Sequence, residues 1–127
     1  MVKQVYTRDL KSLGAIHAGS SPASRTNIMK TYIVDIDNTV LKTPGSDYHN
    51  AEAIVDRIVK VNRLYRDGNK VIYWTARGGS SGKDWHEFTK KQLHHYGCEY
   101  TEFRSDKPHY DVWIDDKAIN SEDYFKL

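Results

Sequence analysis

The chain has 127 residues, 39% hydrophobic and 28% charged, which suits one domain with a buried core and leaves no room for two. No apolar run approaches the ~20 residues that cross a bilayer, the N-terminus lacks the apolar stretch of a secretory signal, and the single cysteine, Cys98, excludes an intrachain disulfide or a cysteine-rich zinc cluster; a soluble, cytoplasmic protein is expected. The net charge of +2 sits in residues 1–28, where four Lys/Arg face one Asp, whereas from Met29 onward 15 Lys/Arg face 16 Asp/Glu, so no nucleic-acid footprint is expected there.

Residues 1–28 show no sustained period of 2 or 3.6, and HAGSSPASRTN (17–27) is a run of small, polar and turn-forming residues. This segment reads as an N-terminal arm of little structure. Gly19-Ser20-Ser21-Pro22 can be encoded by GGTTCAAGTCC, which matches the T-arm consensus of a transfer-RNA gene. On that reading the arm is not native, Met29 is the start, and the domain is 29–127; a native flexible arm is the alternative.

Beyond Met29, short apolar runs alternate with amphipathic stretches, the pattern of β-α-β units around a mostly parallel sheet. A first strand is predicted at 31–35. A helix is predicted at 51–66, with Ile54, Ile58, Val61 and Tyr65 on one face, Asn50 as N-cap and Gly68 past the end. A second strand follows at 70–75, and Trp85, Phe88, Leu93 and Tyr96 mark a second helix closing at Gly97. A shorter strand is expected near 99–103, another over YDVWID (110–115), and a short helix at the C-terminus. His94 and His95 are adjacent on a helix and point about 100° apart, so they read as solvated surface residues.

Three predicted strands end on polar residues: Asp35 with Asp37 just beyond, Thr75, and Asp115 with Asp116. In open α/β sheets the ligand crevice lies outside the carboxyl ends of the strands, so these side chains are expected to converge. Four carboxylates in one pocket repel one another and call for a cation, and an all-oxygen set with room for water suits Mg²⁺.

Asp35-Ile36-Asp37-Asn38-Thr39 after a hydrophobic strand resembles motif I of the haloacid dehalogenase superfamily, Asp-x-Asp-x-Thr/Val. Thr75 at the end of VIYWT resembles motif II, Lys107 of DKPHYD takes the place of the motif III lysine, and VWIDD resembles the acidic motif IV. TARGG, KPHYD and IDDKA together are similar to small phosphatases associated with capsular polysaccharide biosynthesis. Asn38 stands where a glycine is common, and asparagine tolerates the left-handed backbone region.

The resemblance implies a three-layer Rossmann-like core with a mostly parallel sheet and no large cap domain; only 39 residues separate Asp35 from Thr75, and 31 lie between Thr75 and Lys107. It implies an aspartyl-phosphate mechanism, with Asp35 as nucleophile and Asp37 as general acid and base. Thr75 and Lys107 would bind phosphate, Arg77 and Gly78 of loop 77–83 would contact substrate, and Mg²⁺ would lie among Asp35, Asp37 (through its carbonyl), Asp115 and Asp116. The expected partner is a small-molecule phosphate ester, a sugar phosphate of surface-polysaccharide metabolism. Loops 42–50 and 77–83, or a neighbouring subunit of a homo-oligomer, would supply specificity. The alternatives are a polynucleotide or nucleotide phosphatase, and a non-catalytic phosphate-binding module on the same fold.

Overall fold

The computed structural model describes residues 29–79 and 82–126; the expected N-terminal arm lies outside the described residues. In chain order the elements are β1 (Thr31–Val34), β2 (Leu41–Lys42), a single 3-10 turn (Tyr48–Asn50), β3 (Glu52–Ala53), α1 (Val55–Arg66), β4 (Lys70–Trp74), α2 (His86–His95), β5 (Glu102–Arg104) and α3 (Ser121–Tyr124).

β4 is the centre of a three-stranded parallel sheet ordered β1-β4-β5. Its Val71, Ile72 and Tyr73 are all buried, as expected of a strand covered on both faces. Burial, followed by the neighbouring Cys98, raises the pKa of the Tyr73 phenol well above its ordinary value. The core beneath the sheet joins Ile36, Val40 and Leu41 to Ile58 and Val61 of α1 and to Leu93 of α2. Leu41 and Leu93 are fully buried, a burial that stabilises the fold by about 1.5–3 kcal/mol per side chain.

Asn62 ties the two longer helices together. Its Nδ2 donates to the Gly97 carbonyl at 2.9 Å, and its Oδ1 accepts from the Glu99 amide at 2.8 Å. Gly68 (φ +102°) and Gly97 (φ +77°) follow α1 and α2 in the left-handed conformation that closes helices, as the sequence predicts.

Two expectations fail. The first helix starts at Val55 rather than at 51, and Asn50 does not cap it. The cause is local pairing: β3 runs antiparallel to β2, and the Ile54 amide donates to the Val40 carbonyl at 2.9 Å, so 52–54 stay extended; Asn50 instead donates its side-chain amide to Asp47. The second failure is the strand at 110–115. That segment is irregular, and every residue of 108–120 is exposed. Tyr110 and Trp113 instead lie around Lys107, whose Nζ approaches both rings. β1 is accordingly an edge strand, and Ile33 is 61% exposed.

The short C-terminal helix forms as α3, capped by Asn120, whose Oδ1 accepts from the Glu122 amide. The intervals between the motifs are filled by ordinary elements, with no large cap. Among the described residues no helix is long and apolar enough to cross a membrane.

Candidate functional site

Beyond the end of β1 the chain folds back within a few residues. The amides of Thr39, Val40 and Leu41 all reach the Ile36 carbonyl, and Asn38 takes φ +60°, the left-handed geometry asparagine was expected to tolerate. This hook buries Ile36 and turns Asp35 and Asp37 outward at the carboxyl end of the sheet. Thr75 sits beside them at the end of β4, 1% exposed, with its amide donating to the Arg104 carbonyl. Its hydroxyl accepts from the Arg77 amide at 3.1 Å and keeps its own proton to donate. The Thr75 carbonyl accepts from the Lys107 amide, which brings Lys107 back to the same strand end.

The two aspartates are held differently. Asp35 has a side chain 40% exposed, with Oδ2 accepting from Thr39 Oγ1 at 3.1 Å and Oδ1 lying 3.4 Å from Lys107 Nζ. It is the open carboxylate of the pair. Asp37 is clamped: Arg77 Nη2 donates to Oδ1 at 2.6 Å, Arg77 Nε donates to Oδ2 at 2.9 Å, and Thr43 Oγ1 donates to Oδ1 at 2.6 Å. Such a two-pronged guanidinium contact fixes both distance and plane.

Arg77 was expected to touch substrate, with a structural ion pair as the alternative, and it lies in an ion pair with Asp37. Its side chain is 1% exposed, and its remaining Nη1 donates to Thr89 Oγ1 at 3.1 Å and to Gln92 Oε1 at 2.7 Å on α2. The guanidinium also lies over the Tyr48 ring, 4.4 Å from its centroid, and Gln92 donates in turn to the Tyr48 carbonyl. It stands behind Asp37 as its support. Gly78 (φ +86°) holds a tight loop in which an added Cβ would collide with the Lys83 carbonyl, so its place is set by backbone packing.

Thr43, Thr89, Gln92 and Tyr48 complete this network without having been singled out in the sequence. Thr89 and Gln92, three apart on one helical face, offered the one readable signal. Thr43 and Tyr48 lie in a loop and offered none.

Asp115 and Asp116 do not join the cluster. Asp115 Oδ1 accepts from the Lys117 amide at 2.9 Å and Oδ2 from Trp113 Nε1 at 3.3 Å, which lowers its pKa below the ordinary carboxylate value, the amide contributing most. Asp116 pairs with Lys117 at 3.2 Å, with both side chains more than four-fifths exposed. Among the described residues no group of three or more His, Cys, Asp or Glu is placed to hold a metal ion. Asp115 and Asp116 take these local partners, and the four-residue donor set expected for Mg²⁺ is not gathered among the described residues. The structure thus brings together Asp35, Asp37, Thr75, Arg77 and Lys107, two carboxylates alternating with two cations. An open carboxylate beside a lysine and a buried hydroxyl can receive a phosphate group, whose charge needs donors on one side and tolerates a nucleophile on the other.

No family model matches the chain, and no curated protein matches it significantly. Among solved structures it is similar to a crystal structure of a structural-genomics target from Vibrio cholerae, with a TM-score of 0.68 and 25% identity over 78% of this chain and 89% of that one.

Proposed function

We propose that the chain is a phosphomonoesterase of the haloacid dehalogenase type, built on a Rossmann-like core, that hydrolyses a phosphorylated sugar through an aspartyl-phosphate. The observation that carries this reading is the pairing, at one strand end, of a partly exposed Asp35 3.4 Å from Lys107 with an Asp37 fixed two residues away by Arg77.

Phosphate monoesters are extremely inert in water, so an activated nucleophile and charge neutralisation are both required. Asp35 attacks phosphorus while the bond to the sugar oxygen breaks, splitting one hard displacement into two. Lys107 draws negative charge from the transferring group and from Asp35. Thr75 donates its hydroxyl proton to a phosphoryl oxygen. In this role Asp37 must enter the first step in its acid form, with one oxygen released from Arg77 or Thr43 to carry the proton; it gives that proton to the departing sugar oxygen and takes one back from the water that releases phosphate, returning Asp35 to its starting form. Arg77 holds the Asp37 carboxylate in the plane this exchange needs.

A phosphatase screen over sugar phosphates, nucleotides and 3′-phosphorylated oligonucleotides, with and without Mg²⁺, tests the reading; Asp35→Asn is expected to abolish every activity found. A second reading, a phosphate-binding module without turnover, is favoured by the separation of Asp115 and Asp116 from Asp35. Phosphate binding at Lys107 with flat hydrolysis throughout would select it.

A further inference from the structure

We infer that the rim formed by Trp113, Tyr110 and Trp74 beside Lys107 is a subsite for the sugar ring of the substrate, stacking its apolar C–H face on an aromatic side chain. The inference deepens the proposed function and rests on it for placing the phosphate at Asp35. Lys107 Nζ lies 3.4 Å from Asp35 Oδ1, 5.1 Å from the Tyr110 ring centroid and 5.7 Å from that of Trp113. Adding the longer leg, 5.7 Å, to 3.4 Å puts both ring centres at most about 9 Å from the carboxylate, a span that a phosphate and one attached ring can bridge. Tyr110 and Trp113 are 42% and 41% exposed, and Trp74 packs edge-on against Trp113 with centroids 6.0 Å apart. Large aromatic side chains half open to solvent beside a reactive carboxylate offer binding area of low entropic cost.

The occupant follows from shape and charge. The Trp74–Trp113 and Tyr110–Trp113 pairs meet at 85° and 65°, so neither pair forms the parallel slot that would hold a flat nucleobase against Trp113. Over residues 104–117, Arg104, Lys107 and Lys117 face Asp106, Asp111, Asp115 and Asp116. Arg104 is taken up by Asp106 and Lys117 by Asp116, which leaves Lys107 as the cation facing the open carboxylate. That balance suits one phosphate on a neutral ring and opposes a polyanionic strand. Asp115, bonded to the Trp113 indole, places an acceptor for sugar hydroxyls at the edge of the same ring.

The test measures binding to full-length Asp35→Asn protein, so that no turnover intervenes, by tryptophan fluorescence and calorimetry. The ligands are glucose 1-phosphate, glucose 6-phosphate, mannose 6-phosphate, glycerol 3-phosphate and adenosine monophosphate. At least one hexose phosphate is expected to bind about tenfold or more tightly than glycerol 3-phosphate. Trp113→Ala in that background should erase the difference, and Trp113→Phe should restore most of it. Equal affinity for every hexose phosphate and glycerol 3-phosphate, a preference untouched by Trp113→Ala, or tighter binding of adenosine monophosphate than of all the hexose phosphates would overturn the subsite. Turnover by the protein with Asp35 intact separates the two claims. A hexose-phosphate preference in binding without hydrolysis of any ester removes the phosphatase reading and keeps the subsite. Hydrolysis with KM unmoved by Trp113→Ala does the reverse.

Discussion

Asp37 and Asp115 both resemble acidic positions of one superfamily, yet the molecule treats them in opposite ways. Asp37 is gripped by Arg77, Thr43 and, through Arg77, by α2 and Tyr48, with the guanidinium sealed from solvent. Asp115 lies on a segment exposed throughout and is bonded only to near neighbours, the Lys117 amide and the Trp113 indole. A motif fixes which chemical groups are present; burial and long-range partners fix which are held ready. The first region is organised by residues up to 40 positions distant, the second by residues two away.

The largest effect of this contrast is on stability. Arg77→Ala removes the partner of a carboxylate only 22% exposed and also opens a cavity beside Thr89 and Gln92, so it is expected to cost about 3 kcal/mol in urea unfolding. Arg77→Lys should recover little of that loss, because one ammonium cannot span both carboxylate oxygens. A cost near zero for Arg77→Ala would mean that the network is not formed in solution.

A smaller effect is expected one step out. Gln92→Ala removes an acceptor from Arg77 and a donor to the Tyr48 carbonyl, for about 1.5 kcal/mol. Because it loosens the support of Asp37 without touching phosphate, it should lower kcat more than it raises KM.

On the exposed side, Asp115→Asn and Asp116→Asn are expected to change stability by less than about 0.5 kcal/mol each. A larger loss in either would show that these two carboxylates have distant partners in solution and would erase the contrast.

The smallest effect is spectroscopic. Arg104, foremost, and then Trp74 hold the Asp106 carboxyl down to about 2 from an ordinary 3.8. A depressed carboxylate contributes its full stabilisation above the unfolded value and loses it as pH falls through the folded one. The Trp74 indole signal should therefore be flat above pH 3.8 and change as pH approaches about 2.

How far the sequence could be read follows the same division. The buried, periodic parts were legible: β1 and β4 from their β-branched and aromatic runs, the Ile58–Val61 face of α1, the closing turns at Gly68 and Gly97, and the left-handed Asn38. The meeting of Asp35 and Thr75 was also legible, because strand ends of a parallel sheet lie side by side, whereas Lys107 came from the family resemblance and the same strand-end reasoning wrongly added Asp115 and Asp116. β2 and β3 were not, since two residues each leave no period to detect. The apolar residues of 110–115 misled because Tyr110 and Trp113 pack around a lysine while Val112 and Ile114 stay exposed. Arg77 could be read either as a substrate contact or as a structural ion pair, because proximity in sequence to a strand end does not say whether a side chain points outward or back beneath the site.

Every catalytic role assigned above depends on Asp35 as the phosphoryl acceptor. Rapid acid quenching of the protein with a hydrolysed sugar phosphate, followed by peptide mass spectrometry, should find one phosphoryl group on Asp35, absent from Asp35→Asn and accumulating in Asp37→Asn. Turnover with no phosphoryl group on Asp35, or with the label on another residue, would contradict it.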